Sequence, residues 1–330
     1  MKVSRGQSCR FAETLLVLAA SIDKEGWTRQ EATDRASAQV RNREHTGKAD
    51  VDVVLNAKTE AASSTETSAA WRARRDIIDG LKRWPVWAAL AWQDIRVRYY
   101  RTLLGPLWIT VSMAVTVVAL GFLFSRIFNT SFHEYLPFLA AGMVIWGLIS
   151  GILLEATTTF SSAHLIILSV SAPHSMHIYR AVLRQLVIFG HNVVVFIVVV
   201  FALGVPVTPA TLLFFPGLLL LCIIMAWINL VLAMVGTRFR DLQPIVGSLL
   251  QLLFFLTPVI WDRSQLADRA HPLWIEANPL YHLIEIVRAP MLGKVPPLLT
   301  IAAVVAMAVV GWLLTYLLFA RFRRRIPYWL

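Results

Sequence analysis

Six long apolar stretches after residue 102 constrain the fold of this chain more than any other feature of its sequence. A helix needs about 20 apolar residues to cross a bilayer, and each of these stretches contains between 18 and 25 residues. Charged residues make up only 15% of the chain, against about 25% in soluble proteins. We therefore predict an all-α integral membrane protein with six transmembrane helices. The predicted spans are Leu103–Phe124, Tyr135–Leu154, Leu186–Leu203, Thr211–Val235, Pro244–Trp261 and Leu298–Ala320.

Lysine and arginine residues in the short loops orient these spans. If the amino terminus is inside, sixteen of these residues lie on the inner side and five on the outer side, the latter being Arg126, Arg263, Arg269, Arg288 and Lys294. The positive-inside rule then places both termini in the cytoplasm. The net charge of +11 is explained by these inner loops, so it does not indicate a nucleic-acid partner. The third span is expected to begin earlier, near Ile178, with Arg180 and Arg184 reaching toward the cytosol.

A basic amphipathic helix is predicted within residues 71–102, just before the first span. Its apolar face has helical spacing and comprises Trp84, Trp87, Ala88, Ala91, Trp92, Ile95 and Tyr99. Asp94 should lie away from that face and pair with Arg98, four residues later. Such a helix can lie in the membrane interface with its indoles among the headgroups. Residues 103–330 then form the transmembrane domain.

Residues 1–70 have a different composition. They are rich in small polar and charged residues and lack a sustained apolar period, which is typical of a disordered extension. The short apolar run at 14–20 leaves a cleaved signal peptide as one alternative, and an over-extended start of the reading frame as another. Cys9 lies in a polar part of the chain and Cys222 lies in an apolar run, far away in the sequence. Such a pair does not indicate a disulfide or a metal site.

The last outer loop, predicted at 262–297, contains a helix signal of its own. Asn278 is a suitable N-cap, and Pro279 occupies the first helical position. Leu280, Leu283, Ile284 and Val287 follow on one face. A hydrophobic helix at this place could enter the membrane or cover an exit, and an ordinary interfacial loop helix is the alternative.

No motif for catalysis or for nucleotide binding is present. The chain lacks a phosphate-binding Gly-rich loop followed by Lys and Ser or Thr, and it lacks a metalloprotease or nucleophile-elbow pattern. Glu155 is expected at the cytoplasmic edge of the second span, paired with an arginine. His191, Asn192, Asn229 and Gln251 lie within spans, where they either join helices by hydrogen bonds or line a polar path. A proton-coupled pump is poorly supported, so another component must supply energy.

Four motifs, in this order along the chain, resemble those of ABC-2 type export permeases, and most closely the branch that exports polysaccharides. They are the Arg-Tyr-Tyr-Arg-Thr-Leu-Leu-Gly-Pro-Leu-Trp motif at 98–108, Arg-Phe-Arg-Asp-Leu-Gln at 238–243, Thr-Pro-Val-Ile-Trp at 257–261 and Asn-Pro-Leu at 278–280. The resemblance implies a homodimer in the bacterial inner membrane that works with a separate cytosolic ATPase. ATP and Mg²⁺ would be bound by that ATPase, so this chain would hold no cofactor. The implied substrate is a lipid-linked glycan of the O-antigen, capsule or teichoic-acid type.

The same resemblance implies roles for three groups of residues. ATPase coupling is expected of Asp94, Arg96, Arg98, Arg101, Arg238, Arg240 and Asp241. The substrate path is expected along Tyr99, Tyr100, Trp108, Trp146, His191 and Trp261. An outer gate is expected at Asn278, Pro279, Leu283 and Ile284. For Trp108 and Trp261, anchoring in the membrane interface is the alternative.

Three other functions stay open. A drug, antibiotic or lipid exporter of the same superfamily would keep the fold and change the cargo. An integral-membrane glycosyl or acyl transferase would need an acid, base or nucleophile at the membrane edge, where His133, Glu134 and Glu276 fit no defensible spacing. A secondary transporter would show deep charges or paired broken helices, and neither is evident.

Overall fold

The computed structural model describes residues 69–100, 105, 107–262 and 275–330. Most of the predicted extension at 1–70 and the predicted coupling residue Arg101 lie outside these residues. We number the helices in chain order: α1 (69–82), α2 (Trp84–Arg98), α3 (Leu107–Ile127), α4 (Phe132–Ala156), α5 (His164–Ser169), α6 (Ser175–Leu203), α7 (Phe214–Arg238), α8 (Leu242–Leu256), α9 (Pro279–Met291), α10 (Leu298–Phe322) and α11 (Ile326–Trp329).

Five helices of the described chain are long and apolar enough to cross a membrane, namely α3, α4, α6, α7 and α10. They contain between 21 and 29 residues, and their positions confirm the predicted all-α membrane fold. The third span begins at Ser175, three residues before Ile178. The predicted earlier start, which places Arg180 and Arg184 within this helix, is therefore confirmed.

The predicted span Pro244–Trp261 has different boundaries in the structure. Helix α8 ends at Leu256 after 15 residues, a rise of about 22 Å. Pro258 disfavours helical backbone at the preceding residue, and Thr257 is extended, with φ −91° and ψ 138°. Residues 257–261 then form an irregular segment. The short helix and this segment together run along α4, because Gly247 packs near Leu154 and the Tyr135 hydroxyl donates to the Ile260 carbonyl.

Helix α4 lies at the centre of the bundle. Side chains along its whole length are buried, and it contacts α3, α6, α7, α8 and α9. Helix α3, in contrast, leaves most of its apolar residues exposed, including Val111, Val115 and Phe122. In a membrane protein such a surface faces lipid or another chain.

Helices α1 and α2 pack against one end of the bundle. Helix α2 contacts α6 through buried Ala91 and Ile95. Helix α1 contributes Ala73 to a second apolar core, smaller than the core around α4. This second core also contains residues from α6, α7, α10 and the carboxyl-terminal segment: Ile178, Val182, Ala226, Leu230, Ala233, Met234, Phe319 and Ile326.

Candidate functional site

Asp94 on α2 is the centre of a charged cluster that joins three helices. Its carboxylate accepts two hydrogen bonds from Arg180 on α6, from Nε at 2.7 Å and from Nη2 at 2.5 Å. Arg184, one turn further along α6, bonds to the same carboxylate and also to Glu155 near the end of α4. Gln185 Nε2 donates to Glu155 at 2.5 Å. We call these five residues the Asp94 cluster.

The Asp94 cluster is largely shielded from solvent. The Asp94 side chain is 21% exposed, and those of Arg184 and Glu155 are less exposed. Two carboxylates compensate two guanidinium groups, and charge-assisted hydrogen bonds of this kind are about twice as strong as neutral ones. The predicted pairing of Asp94 with Arg98 is therefore wrong. The helical pattern could not show that Asp94 faces α6, because that depends on which side of α2 packs against the bundle.

Two cavities border the Asp94 cluster. One, of about 370 Å³, is lined by Arg98, Thr158, Ser162 and His177 together with the cluster itself. The other, of about 490 Å³, lies toward Leu90 and Val97. Close packing is therefore interrupted beside these ion pairs. Helix α2 has open space next to its charge pairs, in addition to its apolar contacts with α6 through Ala91 and Ile95.

Asp76 on α1 forms a second cluster at the same end of the molecule. Its carboxylate accepts hydrogen bonds from the backbone amides of His174 at 3.2 Å and Ser175 at 3.0 Å, at the beginning of α6. Arg323 Nε donates to it at 2.7 Å, and the Ser175 hydroxyl donates to the Asp76 carbonyl. A carboxylate is favoured at a helix amino terminus, where the amides and the helix dipole are positive. We call these four residues the Asp76 cluster.

The surroundings of Asp76 favour its charged form. Burial alone would raise the pKa of this carboxyl group. Hydrogen bonding to His174 and to the Ser175 amide, with the nearby Arg323 charge, outweighs burial and lowers the pKa from 3.8 to about 2. The Asp76 carboxylate therefore stays ionised at every physiological pH.

The loop between α4 and α6 lies next to both clusters. Its short helix α5 leaves Leu165 71% and Leu168 58% exposed, and Val170 is exposed as well. An exposed apolar face on a loop that joins two charged clusters is suited to contact with another protein.

At the opposite end of α4, the irregular segment 257–261 is held by side chains from other helices. Asn278 caps α9 by accepting from the Leu280 amide at 2.9 Å, and its amide nitrogen donates to the Thr257 hydroxyl at 3.1 Å. Pro279 occupies the first turn. These contacts confirm the predicted cap. The second contact also gives the Thr257 hydroxyl, just after the end of α8, a hydrogen-bond partner.

Arg288 on α9 is the most deeply buried arginine of the described chain. Its Nη1 donates to the Pro258 carbonyl at 2.6 Å, its Nη2 donates to Glu285 at 2.6 Å, and its guanidinium lies 4.3 Å from the centroid of the Phe138 ring. From the sequence, Arg288 counts among the five charges of the outer loops. It is instead a structural donor that fixes α9 against the irregular segment.

Helix α9 is not the interfacial loop helix that the sequence left as an alternative. Leu283 and Ile284 are buried, and α9 packs among α4, α7 and α10. Gly217 on α7 allows a close approach, because a Cβ at that position would lie 2.5 Å from the Ile286 carbonyl oxygen. The predicted gate helix therefore lies inside the bundle, and its gating role stays a prediction.

The predicted path residues are dispersed rather than gathered into one site. Trp146 is buried beside Phe254, with ring centroids 5.6 Å apart. His191 Nδ1 contacts the Val187 carbonyl of its own helix at 2.8 Å, and Trp261 Nε1 donates to the Phe255 carbonyl. Tyr99 lies at the end of α2, while Tyr100 and Trp108 are exposed beyond it. Their role in a path stays a prediction.

The other predicted coupling residues lie on the surface at the same end as the two clusters. Arg96 and Arg98 are exposed on the last turn of α2, and Arg238, Arg240 and Asp241 are exposed where α7 meets α8. Among the described residues, no group of three or more His, Cys, Asp or Glu side chains could hold a metal ion. The site that the described residues form is therefore an arrangement of ion pairs and exposed basic residues.

The comparison with known families decides between the possible classes. Residues 85–292 match the family model described as ABC-2 type transporter. The chain belongs to the ABC-2 type transporter family. The ABC-2 match begins at the first turn of α2 and ends just after α9, so it includes the Asp94 cluster and Arg288 but excludes Asp76 and Arg323. As an ABC-2 protein, the chain is a multi-pass membrane permease.

Three curated relatives carry the same name. The O-antigen export system permease protein RfbA of Myxococcus xanthus is 26% identical over 221 residues, which cover 66% of this chain and 85% of that protein. Two proteins of that name from Klebsiella pneumoniae are 22% and 23% identical over 194 residues, which cover 58% of this chain and 74% of each relative.

Proposed function

We propose that this chain is the membrane subunit of an ATP-driven exporter that moves a lipid-linked polysaccharide across the bacterial inner membrane. The observation that carries this proposal is the ABC-2 family match together with three relatives named as O-antigen export permeases. The cargo is a polymer of the O-antigen, capsule or teichoic-acid type, built on a lipid before export.

The energy comes from a separate cytosolic ATPase that binds ATP and Mg²⁺. The absence of a nucleotide-binding motif from the sequence supports this division of labour. The end of the bundle that carries the Asp94 and Asp76 clusters faces the cytoplasm, in agreement with the excess of arginine and lysine on that side. Both termini then lie inside.

The exposed face of α5 and the basic residues of α2 receive the motion of the ATPase. A displacement of α5 reaches the Asp94 cluster directly, because Glu155 lies just before this loop and Arg184 joins it to Asp94. The bordering cavities give α2 room to move. Replacing Asp94, Arg96 and Arg98 together by Ala should then uncouple transport and leave membrane insertion intact.

Two copies of the chain form the conduit. Exposed apolar faces on α3 and α8 support this arrangement; on α8 the face comprises Ile245, Leu249, Leu252 and Phe255. The polymer passes between these helices of the two copies, where exposed aromatic rings such as Tyr100 and Trp108 offer broad contact to sugar faces. Helix α9 and the irregular segment 257–261 close the outer end.

Deletion of the gene tests which class of cargo the protein exports. We expect the deletion strain to retain completed lipid-linked glycan on the cytoplasmic face and to lose it from the cell surface, and we expect the wild-type chain to restore surface display. The Asp94/Arg96/Arg98 alanine variant should be inserted but should not restore display. Normal glycan display in the deletion strain, with increased sensitivity to a small toxic compound, would favour drug export and contradict the proposal.

A further inference from the structure

Helix α5, in the loop between α4 and α6, has little intrinsic stability. It contains six residues, and none of them is buried. Its N-cap residue, Ala163, makes no side-chain hydrogen bond to the first turn. Helices shorter than about 12 residues are marginal in water without tertiary support. The position of α5 therefore depends on the elements that pack against it.

Helix α11 packs against α5 and also against α7, which is a membrane span. Ile326, the first residue of α11, is 0% exposed and belongs to the second apolar core. Ile167 on α5 is partly buried against the same core, whereas Leu165 and Leu168 are exposed. The side of α5 that carries Ile167 therefore faces the core that contains Ile326, and the other side faces outward.

A short turn sets the position of α11. The 3₁₀ turn Arg323–Arg325 follows α10 directly and leads into α11. The rings of Phe322 and Trp329, on either side of this turn, have centroids 5.9 Å apart. Leu330 packs against the second core. The segment 322–330 is therefore folded onto itself, and this fold brings Ile326 into the core.

The same segment holds the far end of the loop through Arg323. Arg323 Nε donates to Asp76 at 2.7 Å, and Asp76 accepts from the backbone amide of His174 at 3.2 Å, just before α6 begins. Phe160, near the start of the loop, is buried in the second core, and its ring centroid lies 6.2 Å from that of His174. The two ends of the loop are therefore fixed close together, and α11 supports the short helix between them.

We propose that Ile326 is a positioning residue for the partner surface of α5, and that it holds Leu165 and Leu168 toward the ATPase. This proposal rests on the proposed docking of the ATPase at α5. A surface that is already ordered binds without the cost of ordering it. If α5 took its docked orientation in only about a tenth of the molecules, the apparent affinity for the ATPase would fall about tenfold. Ile326 lies outside the segment 85–292 that matches the ABC-2 family model.

Hydrogen exchange of the α5 amides, in the full chain in nanodiscs without the ATPase, tests this support directly. The Ile326→Ala substitution should speed exchange of residues 164–169 about tenfold, because α5 loses the core contact that orders it. Leu230→Ala is the matched control. Leu230 is 1% exposed in the same core, but it lies on α7, about 12 Å before the end of that helix. It should lower the unfolding temperature comparably and leave exchange of α5 unchanged.

Titration of each variant with the purified ATPase subunit separates positioning from folding. Ile326→Ala should raise the ATPase concentration for half-maximal binding about tenfold and should leave the maximum unchanged for the folded chain. Leu230→Ala should lower only the maximum, in proportion to the chain that does not fold. Ile326→Val removes a single methyl group and should bind the ATPase as the wild type does.

A second substitution keeps the test decisive if Ile326→Ala does not fold. Ile167→Ala changes a partly buried residue of α5 itself, and it should speed exchange of α5 and weaken ATPase binding in the same way. Unchanged exchange of α5 in the Ile167→Ala chain, or in a folded Ile326→Ala chain, would overturn the proposal. Equal rises in the half-maximal concentration for Ile326→Ala and Leu230→Ala would also overturn it.

The two measurements distinguish this proposal from the proposed function. Failure of the wild-type chain to bind the ATPase would contradict the proposed function. The exchange comparison between Ile326→Ala and Leu230→Ala would still decide whether Ile326 positions α5, because it is made without the ATPase.

Discussion

Asp94 on α2 and Arg180 on α6 form a two-point ion pair, with Arg180 Nε and Nη2 at 2.7 and 2.5 Å from the two carboxylate oxygens. The pair is a polar link between α2 and the bundle, and Arg184 extends it to Glu155 on α4. A movement of α2 must therefore break or carry with it charges on two membrane helices. This geometry gives the Asp94 cluster a part in holding α2 that mutation can test.

The Asp94→Asn substitution should weaken the docking of α2 by about 2 kcal/mol, because it removes the charge that compensates two partly buried arginines. The unfolding temperature of the purified chain in detergent measures this loss. Arg96→Gln is the control on the same helix. Arg96 has no polar partner among the described residues, so its loss should leave the unfolding temperature unchanged. Equal destabilisation by both variants would contradict this role of Asp94.

The Arg288→Met substitution should destabilise the chain by about 3 kcal/mol, because it leaves the Pro258 carbonyl and Glu285 without their buried donor. Arg288→Lys should recover only part of the loss, since an ammonium group cannot reproduce the guanidinium fork. Chemical unfolding in mixed micelles provides the measurement. Arg126→Gln, which removes an exposed arginine beside Phe122, should have little effect. If the Met variant were as stable as the wild type, Arg288 would not fix α9.

The Gly217→Ala substitution should separate α7 from α9, because the added Cβ would lie 2.5 Å from the Ile286 carbonyl oxygen. Overpacking of this kind costs about 1–3 kcal/mol. Gly190→Ala on α6 is a matched control, since a Cβ there meets no atom within 4 Å. Thermal unfolding of the two variants side by side tests the contact. If the Gly217→Ala variant unfolded at the same temperature as the Gly190→Ala variant, the close packing of α9 against α7 would be contradicted.

The Asp76 cluster should lose its stabilising effect in acid. The pKa of Asp76 is 3.8 when unperturbed and about 2 in the folded chain. Its contribution is therefore complete above the unfolded value and is lost as the pH falls from about 4 to about 2. The difference corresponds to about 2 kcal/mol. Unfolding of the wild type and of Asp76→Asn from about pH 6 to about pH 2 gives the measurement, and the advantage of the wild type should be complete near pH 5 and should shrink steeply below pH 4. An advantage that is already lost at pH 4, or that is absent at every pH, would contradict the lowered pKa.

Local signals in the sequence were sufficient for much of the fold. Apolar length located the spans, because crossing a bilayer imposes a minimum number of apolar residues. The cap formed by Asn278 and Pro279 was predicted because its partners are adjacent in the chain. Pro258 also indicates that α8 ends near this position. The prediction extended the span to Trp261 because the residues after Pro258 are apolar.

Long-range contacts explain what the sequence did not predict. Asp76 and Arg323 are separated by 247 positions, so no pattern along the chain relates them. Arg288 has an ordinary loop context in the sequence, and only the fold places the Pro258 carbonyl beside it. The orientation of Asp94 depends on how α2 rotates against α6. In each case the sequence identifies the charged residue but does not identify its partner.

Cargo movement into vesicles that contain the purified chain, with or without its ATPase subunit, tests the central claim most directly. We predict that lipid-linked glycan crosses the membrane only when the ATPase and ATP are both present. Accumulation of glycan against its gradient by vesicles that contain this chain alone would contradict the account.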